Sequence, residues 1–469
     1  MFGLDTTYTI FLLACLLAAL AFEFINGFHD TANAVATVIY THSMKPGVAV
    51  VWAGIWNFIG VNVGGTAVAI GIINLLPTEI LLDQNLAHNL SMILALIITA
   101  IIWNLATWYF GLPCSSSHTL IGSIFGVGIA YMLIPGSHSV ALNWHKAIEV
   151  IIALFTSPVI GFGLAFLLMI LLRRLLRKQR EIFKEPPARK APPPWIRSIL
   201  VLTCTSVCFA HGSNDGQKGV GLIMLIMIAF APAFFAIDRT KDPETLLNEV
   251  RSIEWTVRKV DTSLMNSSDR NNYRKIVTDL EGMKNSLCGI SSFDQIGKKE
   301  HGNLRTSILR VSRTIDVTLL QGSKFGLSRN DVTVLRMTLK KFKSNTEYAP
   351  GWVILLVSLA LGLGTMIGWK RIVVTIGEKI GKTHLTYAQG ASAQLIAAST
   401  IWASSIFGWP VSTTHVLSSG IAGTMVAGRG RQNLQMGTVK SIFIAWVVTL
   451  PVTILMSGLL FLLLWYVMV

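Results

Sequence analysis

The sequence predicts an all-α, polytopic membrane protein built from two inverted repeats with broken helices and re-entrant half-helices, plus a small helical soluble insert. Of the 469 residues, 52% are hydrophobic and only 13% are charged, a balance typical of a chain embedded in lipid. Apolar stretches near the ~20 residues that a helical span needs recur along the chain. Two polar motifs also occur twice, at matching places in the two halves, which indicates a duplicated membrane unit.

The apolar stretches fall into a long and a short class. The long ones lie at 9–22 with its continuation, 48–76, 90–110, 147–172, 352–369 and 441–469. The short ones lie at 119–134, 196–210, 219–237, 394–407 and 416–427, and such interrupted segments are typical of transporters whose broken helices line a cavity. The first stretch has no basic leader and no small-residue cleavage site, so we expect a retained span.

Charge and polarity divide the chain into five segments. Residues 1–172 are predicted to form membrane repeat 1, and 173–195 a basic, proline-rich loop that the positive-inside rule places in the cytoplasm. Repeat 2 begins at 196–237 and continues at 351–469. Between them, 238–350 is a soluble helical insert with amphipathic runs and no catalytic constellation, which we expect to be regulatory or to dock a partner. The net charge of +15 lies in connections and not in one aromatic-interleaved patch, so no nucleic acid partner is expected.

Two motifs define the repeat. "GFHD" at 27–30 and "GSND" at 212–215 each close a short apolar run and place an aspartate three residues after a glycine. "PCSSSHTLIG" at 113–122 and "PVSTTHVLSS" at 410–419 share a proline, a hydroxyl cluster, a histidine and a leucine in identical positions. Repeated polar breaks of this kind predict a substrate site between the halves, near the middle of the bilayer.

The hydroxyl clusters predict an anion site. A proline followed by serine and threonine ahead of an apolar run indicates the capped N-terminus of a half-helix. Two such ends facing each other would aim backbone N–H groups, partial positive charge and hydroxyl donors at an oxyanion such as phosphate or sulfate. The candidate ligands are Ser115, Ser116, Ser117, Ser412, Thr413 and Thr414.

The repeated aspartates pose the opposite problem, because a buried carboxylate is costly unless it meets a cation or is protonated. We therefore expect Asp30, with Asn33 nearby, and Asp215 to hold a coupling cation, either a proton or a metal or sodium ion. We also expect the helix to break at 26–33, so that polar side chains and free carbonyl groups build this ion site.

Four segments that carry these motifs resemble the signature segments of the Pit family of inorganic phosphate transporters, in particular its bacterial low-affinity branch. They are "NGFHDTANAVATVIYT", "IIWNLATWYFGLPCSSSHTLIG", "FAHGSNDGQKGVGL" and "GWPVSTTHVLSSGIAGTM". The resemblance covers both membrane halves and implies that the two aspartates are essential and that the hydroxyl clusters bind phosphate. It adds Asn104 and Gln394 as residues lining the cavity, and we expect His29 and Asn214, which directly precede the two aspartates, to line it as well.

The resemblance also implies a multi-pass protein of the bacterial inner membrane that imports phosphate, in part as a neutral metal–phosphate complex, together with protons. Sodium-dependent relatives have an asparagine before each signature aspartate and another three residues after it, whereas this chain has His29 in the first place and Lys218 in the last. Lys218 would act as a tethered cation that neutralises Asp215, or would instead extend to the membrane interface.

Several alternatives stay open at this point. A sulfate or other oxyanion permease of the same fold is the nearest rival, and an ion channel or a membrane enzyme fits the polar residues less well. His118 and His415 would either hydrogen-bond between helices or relay protons. No cofactor is expected beyond the coupling cation. The oligomeric state stays open, and a homodimer is one arrangement that the sequence allows.

Overall fold

A computed structural model describes residues 2–76, 85–134, 142–187, 190–321 and 325–468. The described chain is almost entirely helical, and the helices with their bounds are α1 (Thr6–Tyr40), α2 (Pro46–Val63), α3 (Ala67–Ile73), α4 (Leu86–Tyr109), α5 (Ser116–Met132), α6 (Trp144–Leu175), α7 (Pro194–Phe230), α8 (Pro232–Phe235), α9 (Pro243–Val257), α10 (Ser267–Leu287), α11 (Lys298–Ile315), α12 (Arg329–Lys343), α13 (Gly351–Thr365), α14 (Lys370–Glu378), α15 (Tyr387–Ile406), α16 (Thr413–Arg429) and α17 (Met436–Met468). A π-helical turn follows α11 at Asp316–Gln321.

The chain divides into two compact units. The larger takes in the described parts of Ile10–Ile80, Asn85–Ile226 and Ala349–Val469, and the smaller consists mainly of Met227–Tyr348. Within the described residues, six helices are long and apolar enough to cross a membrane: α1, α2, α4, α6, α7 and α17. The predicted class, an all-α multi-pass membrane protein, is confirmed.

The prediction that helices end at the two aspartate motifs is wrong. α1 continues through 26–33, and α7 continues through 212–215. The glycines serve close packing instead: a Cβ atom on Gly27 would lie 2.4 Å from the carbonyl oxygen of Leu361 in α13, and one on Gly212 would lie 2.2 Å from that of Asn57 in α2. The polar side chains around them point into the unit, so they form an inward-facing stripe on an unbroken helix.

Two further boundaries differ from those predicted. The stretch at 48–76, expected as one span, contains α2 and α3 with a break at 64–66, where Gly65 has a φ of +80°. The stretches at 196–210 and 219–237, taken as separate pieces, belong largely to the single helix α7. The residues between these stretches, 211–218, therefore continue the helix and do not separate two spans.

The two predicted half-helices, α5 and α16, have 17 residues each. At 1.5 Å per residue each is about 26 Å long, which is less than the ~30 Å of a bilayer's hydrocarbon core. The half-helices pack crosswise between the two halves of the chain: α5 lies against α17, and α16 lies against α6. This exchange brings the N-termini of α5 and α16, which are far apart in sequence, into one region of the larger unit.

The smaller unit contains a four-helix arrangement in which each of α9, α10, α11 and α12 packs against two of the others. Its apolar core includes Leu246, Ile253, Leu280, Ile308 and Leu335. The buried Arg305 donates hydrogen bonds to the carbonyl oxygens of Ala236 at 3.0 Å and Thr346 at 3.1 Å. Burial lowers the pKa of Arg305 to about 10.

Candidate functional site

The N-termini of α5 and α16 are capped in the same way. Ser115 accepts a hydrogen bond from the backbone N–H of His118 at 3.1 Å, and Ser412 accepts one from that of His415, also at 3.1 Å. Each cap satisfies one of the free N–H groups of the first turn and leaves the following hydroxyls available. The predicted caps are present at both half-helices.

The Asp30 carboxylate accepts hydrogen bonds from hydroxyl groups of both half-helices. Ser116 in α5 donates to Oδ2 at 2.5 Å, and Thr414 in α16 donates to Oδ1 at 2.7 Å. The His29 ring lies against the same carboxylate, with Nδ1 3.0 Å from Oδ1, while its Nε2 is 3.2 Å from the Thr107 hydroxyl. Asp30 is only 3% exposed, so these neighbours and not water satisfy it.

The Asp215 carboxylate has a different environment, because it forms an ion pair on its own helix. Lys218 Nζ lies 2.6 Å from Oδ1, and His211 Nε2 lies 3.5 Å from Oδ2. The same ammonium group donates to the Ser117 hydroxyl at 2.5 Å and to the carbonyl oxygen of Val411 at 3.0 Å. Lys218 is 2% exposed, so it lies inside the unit and does not extend to a surface.

The remaining hydroxyl ligand candidates join the two environments. Thr413 donates to Asp215 Oδ2 at 3.4 Å, and Ser117 donates to the carbonyl oxygen of Val411 at 3.0 Å. The structure therefore brings the hydroxyl clusters and both aspartates into one buried polar region. Asn33 was predicted to contribute as well, but its side chain lies outside the described residues.

The predicted lining residues occupy different positions. His29 contacts Asp30 directly, as described above. Asn214 donates to the Ser405 hydroxyl at 3.2 Å and to the carbonyl oxygen of Trp409 at 3.2 Å. Gln394 is satisfied elsewhere, since it donates to the carbonyl oxygen of Ala34 at 2.8 Å and accepts from a threonine hydroxyl.

Asn104 is the least satisfied of these side chains. It is fully buried in α4, and neither its amide oxygen nor its amide nitrogen has a hydrogen-bond partner among the described residues. An uncompensated buried amide is costly, so such a group is expected where a polar molecule can bind.

The two repeated histidines lie next to each other, with ring centroids 4.5 Å apart for His118 and His415. His118 Nδ1 is 2.8 Å from the Ser115 hydroxyl, and the His415 ring stacks on Trp446 at 4.0 Å. The contact between the two histidine rings joins the first turns of α5 and α16, and the stacking on Trp446 joins α16 to α17. This geometry supports a role of the two histidines in interhelical packing and gives no support to a proton relay.

One group of side chains could hold a cation. Asp30, His211 and Asp215 each offer a ligand atom, and these atoms lie within 4.8 Å of one another. Two carboxylates and an imidazole are ligands that divalent ions accept. Both aspartates were predicted as cation ligands, and the structure adds His211 as a third possible ligand.

The site is closed to solvent. Asp30, Asp215, Ser116 and Thr414 are all 3% exposed or less. A cavity of about 730 Å³ lies elsewhere in the unit, beside Trp108 and Arg371, and none of these four residues lines it. Entry of a molecule to the site therefore needs a movement of the helices.

Two polar residues of α1, Glu23 and Asn26, were not named as site residues from the sequence. Asn26 accepts from the Ser116 hydroxyl at 2.7 Å, and Glu23 accepts from the Asn26 amide at 3.4 Å. A signal was available, because Glu23, Asn26 and Asp30 have the spacing i, i+3, i+7 that places side chains on one helix face. This spacing was not recognised because the helix was expected to break at 26–33.

Comparisons with known proteins agree on one family. Residues 26–457 match the Phosphate transporter family. The low-affinity inorganic phosphate transporter PitA of Escherichia coli (strain K12) is 43% identical over 97% of this chain and 97% of its own length. The probable low-affinity inorganic phosphate transporter of Bacillus subtilis (strain 168) is 30% identical over 95% of this chain and 93% of its own. A solved structure described as the sodium-dependent phosphate transporter is similar in fold, with a TM-score of 0.56 at 19% identity, over 97% of this chain and 99% of that one.

Proposed function

The chain belongs to the Phosphate transporter family, and we propose that it imports inorganic phosphate across the bacterial inner membrane by proton-coupled symport. It is a transporter and not an enzyme. The observation that carries the proposal is the convergence of two hydroxyl donors, Ser116 from α5 and Thr414 from α16, on the single carboxylate of Asp30. Phosphate would bind between these two helix ends.

The helix ends supply what an oxyanion needs. Each N-terminus carries partial positive charge and free N–H groups, and the hydroxyls add donors without a permanent charge. In the closed structure the carboxylate of Asp30 takes the hydroxyl bonds that a phosphate oxygen would take. Substrate and Asp30 therefore compete for Ser116 and Thr414, and a change in the charge of Asp30 alters that competition.

The hydrogen bonds of Ser116 support a proton as the coupling ion, because they require one more proton than the hydroxyl itself can supply. The Ser116 hydroxyl lies within hydrogen-bond distance of two acceptors, Asn26 Oδ1 at 2.7 Å and Asp30 Oδ2 at 2.5 Å, yet it has one proton to donate. A proton on Asp30 would let the carboxylic acid donate to Ser116 while Ser116 donates elsewhere. It would also remove the negative charge that repels an incoming anion.

The carboxylate of Asp30 also makes phosphate a more favourable substrate for this site than the main alternative, sulfate. At neutral pH phosphate carries a proton that can be donated to a carboxylate, whereas sulfate carries none and would meet Asp30 as like charge against like charge. If the substrate is a neutral metal–phosphate complex, its divalent ion would lie near Asp30, His211 and Asp215, whose ligand atoms are close together. We further propose that the crosswise packing of α5 and α16 reflects two inverted repeats.

Substrate competition tests the proposed function. The purified chain would be reconstituted in liposomes, and uptake of radiolabelled phosphate measured with unlabelled phosphate or sulfate added outside. We expect unlabelled phosphate to reduce uptake of the radiolabelled phosphate. A hundredfold excess of sulfate should leave that uptake within twofold of its value without competitor. Equal inhibition by both anions would establish the oxyanion permease instead, and absence of saturable uptake would reject transport of phosphate by this chain.

A further inference from the structure

Glu23 is a buried carboxyl group to which the proposed transport cycle has not yet given a role. It lies in α1 and is 0% exposed. One carboxylate oxygen, Oε2, accepts a long hydrogen bond of 3.4 Å from the Asn26 amide, and the other, Oε1, has no hydrogen-bond partner among the described residues. An ionised carboxylate in such a place is costly, because it is shielded from water and one of its two oxygens has no donor among the described residues.

A chain of hydrogen bonds links Glu23 to the site. The Asn26 amide nitrogen faces Glu23, the Asn26 amide oxygen faces the Ser116 hydroxyl at 2.7 Å, and that hydroxyl also reaches Asp30 at 2.5 Å. Asn26 is 1% exposed, so its amide has no competing water. An amide donates at one end and accepts at the other, and the orientation of Asn26 therefore decides whether Ser116 must donate to it.

The surroundings of Glu23 keep it close to the charged centre. A Cβ atom on Gly219 of α7 would lie 2.4 Å from Glu23 Cγ and Cδ, so the glycine makes room for the carboxyl group directly after Lys218. The charged groups that act on Glu23 are Asp215 and Lys218 from α7 and Asp30 from its own helix. α13, which packs on the neighbouring Phe24, carries no charged residue.

We propose that Glu23 is a second proton-binding group of the transporter, and that Asn26 couples its protonation to phosphate binding at Ser116. With Glu23 ionised, the Asn26 amide nitrogen donates to it, and the amide oxygen holds the proton of Ser116. With Glu23 protonated, its O–H donates to the Asn26 oxygen, and the amide turns its nitrogen toward Ser116. The hydroxyl then accepts from Asn26, and its one proton is free for phosphate.

The consequence is that a proton taken up at Glu23 strengthens phosphate binding, and phosphate strengthens the binding of that proton by the same factor. The inference rests on the proposed function but assigns a separate role, because Glu23 itself contacts neither the two half-helix hydroxyls nor the expected place of phosphate. Glutamine at this position resembles the protonated acid in shape and in having a donor. It should therefore hold Asn26 in the orientation that favours phosphate.

The test compares full-length wild type with Glu23→Gln and with Asn26→Leu, which keeps a similar shape but removes the amide. Glu149→Gln is the matched control, since Glu149 is a half-exposed membrane-helix carboxylate paired with Lys146 at 2.9 Å and lies outside the chain of hydrogen bonds. Phosphate affinity would be measured from pH 5.5 to 8.5 with radiolabelled phosphate and purified protein. Uptake driven by an imposed pH gradient would be measured in liposomes.

We expect wild type and Glu149→Gln to lose phosphate affinity as pH rises, by up to ~10-fold per pH unit where Glu23 titrates. Glu23→Gln should bind at pH 8.5 at least as tightly as wild type, with a flatter pH profile, and should lose most gradient-driven accumulation. Asn26→Leu should flatten the profile with Glu23 intact. A wild-type pH profile in Glu23→Gln, or loss of its phosphate binding at every pH in a protein that melts like wild type, would overturn the inference. Failure of wild type itself to bind phosphate would instead reject the proposed function.

Discussion

The two halves of the site start from the same motifs but neutralise their aspartates differently. Around Asp30, both carboxylate oxygens accept from hydroxyl groups, one from each half-helix. Around Asp215, an ammonium group 2.6 Å away forms an ion pair, and Lys218 joins it to the start of α5 through Ser117. One half therefore carries its own fixed cation, while the other depends on hydroxyl groups and the imidazole of His29. This difference supports our proposal that the coupling ion is exchanged in the Asp30 half.

Replacing each aspartate in turn should reveal the largest difference between the two halves of the site. Asp30→Asn should reduce coupled uptake by a hundredfold or more while leaving thermal stability near that of wild type, because it leaves no charge without a partner. Asp215→Asn should abolish uptake and also destabilise the protein by about 3–5 kcal/mol, because it leaves the Lys218 ammonium buried and unpaired. Uptake in liposomes and thermal melting in detergent check both.

A double variant serves as the control for that contrast. Asp215→Asn combined with Lys218→Met removes both charges of the pair and should recover most of the lost stability without recovering uptake. Equal stability of the two single variants would show that Lys218 does not depend on Asp215.

The hydroxyl donors should give the next largest effect. Ser116→Ala and Thr414→Val should each weaken phosphate binding by about 1.5–3 kcal/mol, or roughly 10- to 150-fold, because each removes a donor to a charged ligand. Ser123→Ala is the matched control, since that buried hydroxyl of α5 donates to the carbonyl oxygen of Thr119 at 2.8 Å. Dissociation constants for the two site variants that match wild type would show that these hydroxyls serve only the helix ends.

Exchange of the fixed cation should have a smaller effect on rate but should change the ion dependence. Lys218→Asn removes the ammonium and introduces the residue expected of sodium-dependent relatives, so sodium should increase initial phosphate uptake several-fold where wild type shows no response. The measurement is uptake at fixed pH with sodium or with choline in its place. An unaltered rate and pH profile would mean that Lys218 only joins α7 to α5.

The smallest effect is expected for an ion pair in the smaller unit, which sharpens the comparison with Lys218. Hydrogen bonds from Arg258 and Lys284 hold the pKa of Glu254 below its ordinary value. The stabilisation is present above a pH of about 4.5 and is lost as the pH falls through the lowered pKa. Since both basic partners are partly exposed, Glu254→Gln should cost only ~0.5–1 kcal/mol. Hydrogen exchange of the α9 amides in the full-length wild type and variant, at pH 7 and pH 4, measures this cost in stability. A loss of stability above 3 kcal/mol in the variant would contradict the prediction.

Local signals in the sequence were enough for the membrane class and the half-helix ends. The proline and serine ahead of each apolar run fix the caps at Ser115 and Ser412, because capping depends on residues only three positions apart. The duplicated motifs also indicated that distant hydroxyls and aspartates would meet. In the structure Ser116 and Thr414 both contact Asp30, and the sequence could not say which hydroxyl reaches which carboxylate.

Features that depend on helix packing could not be predicted. Polar residues after an apolar run fit a broken helix and an inward-facing stripe equally well, and the two are distinguished by the continuation of α1 through 26–33, where Gly27 packs against α13. Glu23 was missed because its role depends on Asn26 and on the approach of Ser116 from another helix. Gln394, in α15, was expected near the substrate, but its amide instead donates to the carbonyl oxygen of Ala34 in α1.

Uptake of radiolabelled phosphate by the purified chain in liposomes, with proton and sodium gradients imposed separately, tests proton-driven phosphate transport most directly. With acid outside and sodium replaced by choline, we expect phosphate to accumulate above its external concentration and the accumulation to collapse when an uncoupler is added. Accumulation that requires a sodium gradient and ignores the pH gradient would contradict the assignment of the proton to the Asp30 half of the site.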